Sequence, residues 1–283
     1  MNLEPQSLSL AQFANLSPKE LDGRVVLVED ESGHVPCKIK LRPRSGRLFV
    51  MFNGAVTNRS TVKLPVFARW NWGKVLDGHV LSVCDPTLYL DDELTLGWFL
   101  GTRQHDPMLM SLRIVDALQS KLGVEPENTI FYGSSGGGFA AMRAASMRKV
   151  GRAIAVNPQT AVTRYYTRHV DRIASLFDPG ATAAQSSTRY PERWNAIHAI
   201  DEARRRGNDL RILYVQNLED RNHHAKHFTP FCKHFGINAE GGEDSSRSLF
   251  AHLYSYPDGH GVEPPEVVKF ITSEGLNHLA GAA

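Results

Sequence analysis

Residues Ile130 to Met142, Ile-Phe-Tyr-Gly-Ser-Ser-Gly-Gly-Gly-Phe-Ala-Ala-Met, pass from an apolar run through glycines into an alanine-rich segment. Thr129 to Tyr132 are β-branched, apolar or aromatic and lie between Pro126 and Asn128 on one side and Gly133 on the other, the mark of a short buried strand. Phe139, Met142 and Ala145 then recur at helical spacing. A strand, a very tight turn and a helix must follow one another here. A serine exposed on such a turn needs glycine two residues before and two after, because a Cβ there would collide with the neighbouring backbone. One register satisfies this. Ser135 stands between Gly133 and Gly137, whereas Ser134 would need glycine where Tyr132 stands. Ser135 is therefore the expected nucleophile. The alternative, a phosphate cradle, needs a Lys-Ser/Thr pair or G-x-G-x-x-G, and the stretch has neither.

Similar β-like runs occur at 24–29, 35–41, 47–52, 79–84, 129–132, 152–156, 211–216 and 250–256, the first two joined by the hairpin-like loop Asp30-Glu31-Ser32-Gly33-His34. Segments of helical character separate the later ones, at 108–122, 136–147, 223–235 and 265–273, the last opened by Pro264-Pro265. The expected class is α/β: a mostly parallel eight-stranded sheet with helices on both faces, entered through an antiparallel pair. One domain is expected over 1–283, with its core at about 24–273 and a lid-like insertion at about 157–208 over the C-terminal edge of the sheet. The arginines 204–206 read as a solvated helix end, and Leu279 to Ala283 as a loose tail.

Charge and cysteines narrow the function classes. Thirty-two Lys and Arg against thirty Asp and Glu leave a net charge of +2, too little to draw nucleic acid. Cys37, Cys84 and Cys232 are scattered and odd in number, which fits reduced thiols rather than a disulfide framework. Met1 to Leu21 has no cationic start followed by an apolar stretch, so it does not read as a secretory signal. No run approaches the ~20 apolar residues of a membrane span. A soluble, cytoplasmic protein is expected; its oligomeric state is not legible.

A serine hydroxyl needs a base to take its proton and an acid to orient that base. In strand-turn-helix sites these follow in the order Ser, Asp or Glu, His. After the run at 211–216 come Glu219 and Asp220, and after that at 250–256 comes Pro257-Asp258-Gly259-His260-Gly261. His260, in a glycine-flanked loop past the last strand, is the expected base. Glu219 and Asp220 both suit the acid, with Asp220 preferred because its shorter chain positions an imidazole with less freedom. Asp258 reads as a turn residue, and His252 as structural. The oxyanion formed during attack needs backbone donors. These are expected from Gly136 and, in the loop after the third strand, Ala55 beside Gly54.

Two other constellations compete. His223 and His227 stand one helical turn apart, as zinc ligands can, but His224 occupies the place of the glutamate in H-E-x-x-H. They read instead as a solvated helix face or the edge of a substrate cleft, and no metal is expected. Trp70-Asn71-Trp72 could stack on a sugar or base, but packing is the plainer reading.

With nucleophile turn, late acid, last-strand histidine and third-strand oxyanion loop in order, the chain resembles the α/β-hydrolase superfamily over about 24–273, most specifically at Gly133-Ser134-Ser135-Gly136-Gly137. Further segments resemble a bacterial α/β-hydrolase-like group associated with surface-polysaccharide synthesis and accessory secretion: Phe67 to Trp72, Asp85-Pro86-Thr87-Leu88, Tyr132 to Gly137, and Asn217 through His227 to Thr229-Pro230-Phe231. One departure is Asn53, where many lipases and esterases of the superfamily carry histidine. The resemblance implies the α/β-hydrolase fold and acyl chemistry on a glycan or glycoprotein. The expected activity is a serine hydrolase, a carboxylesterase or acyltransferase acting on a small-molecule or glycan ester without cofactor. The alternative is a binding or scaffold protein that keeps the fold without turnover.

Overall fold

The alternation in Leu48-Phe49-Val50-Met51-Phe52 divides the core in two. Leu48, Val50 and Phe52 bury into one layer and Phe49 and Met51 into the other, as the period of a strand requires. Neighbouring strands repeat the split, with Phe131, Ala153, Ala155 and Tyr214 in the first layer and Ile130, Tyr132, Ile154, Val156 and Val215 in the second. A sheet buried on both faces has to be covered by helices on both. The helices Pro107–Leu122, Gly136–Ser146, Ala196–Arg205 and Thr229–Phe235 cover the first face; Gly73–Leu76, Pro265–Phe270 and Leu276–Ala280 cover the second.

This computed structural model describes residues 5–31 and 33–281. Among the described residues ten strands form the sheet: β1 (Gln6–Ser9), β2 (Val25–Asp30), β3 (Gly33–Lys40), β4 (Leu48–Phe52), β5 (His79–Val83), β6 (Thr129–Ser134), β7 (Val150–Val156), β8 (Asp209–Asn217), β9 (Gly242–Glu243) and β10 (Leu249–Tyr254). Their order is β1-β2-β3-β5-β4-β6-β7-β8-β10-β9. From β5 to β10 the pairs are parallel; β3 runs antiparallel to β2 and β5, and β9 to β10.

The expected count of eight strands is corrected to ten. The added β1 is a polar edge with Leu8 as its one buried residue, and β9 has two residues, so neither carries an apolar period. Leu279 and Ala280, expected in a loose tail, belong to a helix and Leu279 is buried; Ala282 and Ala283 lie outside the described residues, as do Met1 to Glu4 and Ser32. The segment 157–208 holds helices Thr167–Phe177, Ala183–Arg189, Pro191–Trp194 and Ala196–Arg205, the last packed on Gly136–Ser146 as the crossover between β7 and β8.

After β4 the chain turns to β5 on one side, and after β6 to β7 on the other. The connections diverge where the C-terminal ends of β4 and β6 lie side by side, Phe52 opposite Gly133, and such a divergence leaves a crevice. Asn53-Gly54-Ala55 and Ser134-Ser135 form its two lips.

Candidate active site

Ser135 sits between β6 and the Gly136–Ser146 helix at φ 57°, ψ −123°, a backbone conformation that non-glycine residues rarely hold. Packing explains the flanking glycines. A Cβ on Gly133 would stand 2.2 Å from the backbone of Gly137, and one on Gly137 2.4 Å from the Phe52 carbonyl. The two serines differ in company: Ser134 Oγ accepts from Arg69 Nη2 at 3.0 Å, and Ser135 Oγ accepts from Gln159 Nε2 at 2.8 Å.

Asp220 and His260 meet as β8 and β10 end side by side. His260 Nδ1 donates to Asp220 Oδ2 at 2.5 Å. Its loop is tied down by Asn217, whose Nδ2 donates to the carbonyls of Tyr256 and Gly259 at 2.8 and 2.7 Å and whose Oδ1 accepts from Tyr256 N at 3.0 Å. Glu219 turns away and accepts from Ser255 Oγ at 3.0 Å. Asp258 lies in the turn before His260. Burial alone would raise the Asp220 pKa, but the hydrogen bonds from His223 and His260 outweigh it and hold the carboxyl well below the usual carboxylate range.

A second histidine shares this carboxylate. His223 Nδ1 donates to Asp220 Oδ1 at 3.1 Å, and Asp220 also caps the short helix Arg221–His223 by accepting from His223 N. On its other side, His223 Nε2 lies 2.7 Å from Gln159 Nε2. The Gln159 amide is orientated by Trp98, whose indole N–H, a donor only, meets Gln159 Oε1 at 3.0 Å. Gln159 Nε2 therefore donates to both Ser135 Oγ and His223 Nε2. That places the His223 proton on Nδ1. Burial lowers the His223 pKa and favours this neutral form.

Asp220, His223 and His260 present ligand-type atoms within 4.8 Å of one another. The donor pattern suits protons better than a cation, because a metal on His223 Nδ1 would put a proton on Nε2, facing the Gln159 amide donor. His227 accepts from Thr160 N at 3.1 Å through its Nδ1, and burial with His223 nearby pulls its pKa down to about 3. Both helix histidines are buried, which corrects the solvated-face reading.

Ser135 and His260 line one cleft of about 650 Å³ together with Asn53, Gly54, Ala55, Phe67, Arg69 and Asn157. Among the described residues, Ser135 Oγ is hydrogen-bonded to Gln159 and not to His260, and His260 Nε2 has no hydrogen-bond partner. Gly136 is the first residue of its helix, where an amide has no intrahelical acceptor. Gly54 packs against it, since a Cβ there would lie 3.0 Å from Ser134 O and 3.8 Å from Gly136 N. Asn53 shapes this lip: its Oδ1 accepts from Asp85 N at 2.8 Å and its Nδ2 donates to Gly54 O at 2.9 Å.

Beneath the cleft, Arg69 reaches Glu263 Oε1 at 2.5 Å, and Tyr132 OH donates to the same oxygen at 3.2 Å. Trp72 packs on Tyr132 with ring centroids 6.0 Å apart, while Trp70 is exposed under Lys38. Cys37, Cys84 and Cys232 are free and buried.

Sequence reasoning missed Gln159 and Asn217, and weighed His223 only as a metal-like ligand, a solvated face or a cleft edge. Gln159 stands three residues past β7, at a C-terminal strand end where such sheets place their sites, and that position was its available signal. Asp220-x-x-His223 has the spacing of a capping residue and the group it caps, which could have drawn His223 in.

No family model matches the sequence, and no curated protein matches it. Solved structures do. The capsule O-acetyltransferase of Neisseria meningitidis serogroup A aligns with a TM-score of 0.65 at 13% identity, over 95% of this chain and 99% of that one. FphF, a fluorophosphonate-binding serine hydrolase of Staphylococcus aureus, aligns at 0.57 and 9% identity over 90% and 97%. A chain of the Glycosylation Associate Protein (Gap123) complex from Streptococcus agalactiae aligns at 0.61 and 15% identity; 88% of this chain covers 45% of that one, less than half its length. The chain has the α/β-hydrolase fold, and neighbours sharing it are serine hydrolases and O-acetyltransferases. Among the described residues no helix is long and apolar enough to cross a membrane.

Proposed function

We propose that this chain handles acyl groups through a serine nucleophile. Ser135 Oγ attacks the carbonyl carbon of an ester while His260 Nε2 takes the hydroxyl proton. Asp220 holds the His260 tautomer and offsets the imidazolium charge. The amides of Gly136 and Ala55 receive the oxyanion. His260 returns its proton to the leaving alcohol, then deprotonates the incoming water or hydroxyl that releases the acyl group. The observation that carries this reading is the placement of Ser135, on its strained turn, and the Asp220-bound His260 around one cleft at the divergence of β4 and β6.

A carbohydrate ester is the substrate class we take forward, on the names of three structural neighbours, a capsule O-acetyltransferase, a glycosylation-associated complex and an acetyl xylan esterase; a dipeptidyl peptidase and an S-formylglutathione hydrolase share the fold too. Water as acceptor makes the protein an esterase, and a sugar hydroxyl makes it an acyltransferase. One observation favours a second reading, a binding protein without turnover: the Ser135 hydroxyl rests on Gln159, not on His260. Labelling with a fluorophosphonate, read by intact mass, separates them. A single adduct on the wild type that is lost in Ser135→Ala supports the enzyme; no adduct on either sinks it.

A further inference from the structure

We propose that Gln159 and His223 form a second arm of this site, in which Gln159 orientates the Ser135 hydroxyl and His223 is a positioning residue that holds both Gln159 and Asp220. This rests on the assignment of Ser135, Asp220 and His260 made above.

Donor counting carries the argument. A serine oxygen has one proton to give and two lone pairs to offer. The Gln159 amide occupies one lone pair at 2.8 Å and leaves the O–H to point elsewhere, into the cleft that His260 lines. The charge that develops during attack lies on the substrate carbonyl oxygen, at Gly136 and Ala55, so what Gln159 supplies to Ser135 is direction: with one lone pair held, the O–H and the other lone pair face the cleft. Gln159 can do this only in one orientation. Trp98 on Oε1 and His223 on Nε2 hold the two ends of its amide at 3.0 and 2.7 Å.

His223 cannot itself serve as the base. Its Nδ1 proton is committed to Asp220 Oδ1 and its Nε2 faces an amide that gives a proton and takes none. It is buried and lies flat on His260, with ring centroids 4.0 Å apart, where a second imidazolium would repel the first. What His223 supplies is rotation control. By bonding Oδ1 it fixes the carboxylate so that Oδ2 faces His260 Nδ1 at 2.5 Å. One neutral ring thereby sets both the carboxylate and, through Gln159, the hydroxyl.

The test uses the full chain and the inactivation constants kinact and KI of a fluorophosphonate. His223→Phe keeps the stacked ring and removes both nitrogens; Gln159→Met keeps the length and removes the donor; His223→Asn restores an N–H toward Asp220. The first two should lower kinact about 10- to 100-fold, the usual effect of losing a group that orientates a ligand or catalytic side chain. KI should stay put, the thermal midpoint should fall in His223→Phe because Asp220 Oδ1 loses its donor, and His223→Asn should recover part of both losses. In the wild type, two imidazole Nδ1–H protons bonded to Asp220 should appear downfield in the proton spectrum beside that of the buried His278 on Glu243; His260→Ala removes one of the Asp220 pair and His278→Gln removes the third. Should His223→Phe not fold, Gln159→Met and the spectrum decide alone. Wild-type kinact in the variants, or no downfield proton left in the double variant His260→Ala with His278→Gln, overturns the second arm while leaving the Ser135 reading in place. Absence of any Ser135 adduct on the wild type overturns both.

Discussion

His223 and His260 stack with ring centroids 4.0 Å apart and planes 10° from parallel, each turning its Nδ1 to a different oxygen of Asp220. Two imidazoles on one carboxylate are not equivalent. His223 is closed at both nitrogens, whereas His260 keeps Nε2 open to the cleft that Ser135 lines. The asymmetry gives the proton one place to go.

Replacing the two adjacent serines should have unequal effects. Ser135→Ala removes the proposed nucleophile and should lower kcat on a chromogenic acetate ester by on the order of 10⁶, as expected when a triad acts as a unit. Ser134→Ala removes an acceptor for Arg69 and should leave most turnover intact. Equal losses in both would sink the assignment of Ser135.

Asp220→Asn should lower kcat by roughly 10⁴, because an amide can no longer hold the His260 tautomer required of a base. Glu219→Gln should change little, since that carboxylate accepts from Ser255 and faces away from the imidazoles. The reversed pattern in steady-state assays would move the acid to Glu219.

Why the sequence revealed one half of this arrangement and not the other has a physical reason. Ser135 follows β6 at once between glycines, while Asp220 and His260 lie three and six residues past β8 and β10 and are of the residue types a triad needs. Gln159 shares the strand-end position but is a neutral amide that no triad calls for, and His223 stands in a histidine-rich helical segment. Their approach to Ser135 is made by the turn after β7, where Asn157 adopts φ 43°, and by the short helix that Asp220 caps. Spacing in sequence records the cap but not the approach to Ser135. The central strands were legible because their apolar runs are long and doubly buried. The edges β1 and β9 were not, because an edge needs little apolar surface.

Stability should fall on acidification from about pH 6.5, the ordinary histidine value. Burial lowers the pKa of His79, His223, His227 and His252 in the folded state. The unfolded chain therefore binds more protons in that range, so stability is complete above about 6.5 and drains as pH drops toward the folded values. For His227 that window extends down to about 3. His227→Gln should flatten the slope of unfolding free energy between those limits, measured by urea titration at stepped pH. An unchanged slope would mean that His227 is not held neutral by the fold.

Gly133→Ala should prevent folding rather than merely slow turnover. Its Cβ would enter the backbone of Gly137 at 2.2 Å, and backbone, unlike a flexible side chain, cannot move aside without displacing the Gly136–Ser146 helix from the sheet. Circular dichroism and soluble yield report the outcome. A folded Gly133→Ala protein that has lost only probe labelling would show that the turn can open independently of the core.

Arg69 and Glu263 tie three cleft-forming segments together: the loop after β4, the end of β6 through Ser134 and Tyr132, and the loop that carries His260. The Glu263 side chain is wholly buried and that of Arg69 is 12% exposed. Burial alone would lower the Arg69 pKa, but the facing Glu263 charge outweighs it and holds the guanidinium more firmly protonated than usual. Removing one partner strands the other charge, so Glu263→Gln should destabilise by about 3–5 kcal/mol. The double change Arg69→Met with Glu263→Gln leaves no stranded charge and should cost less than Glu263→Gln alone. Chemical unfolding of the four proteins in that cycle measures the coupling. If the double mutant loses as much as the two single changes added together, the pair does not act as a unit.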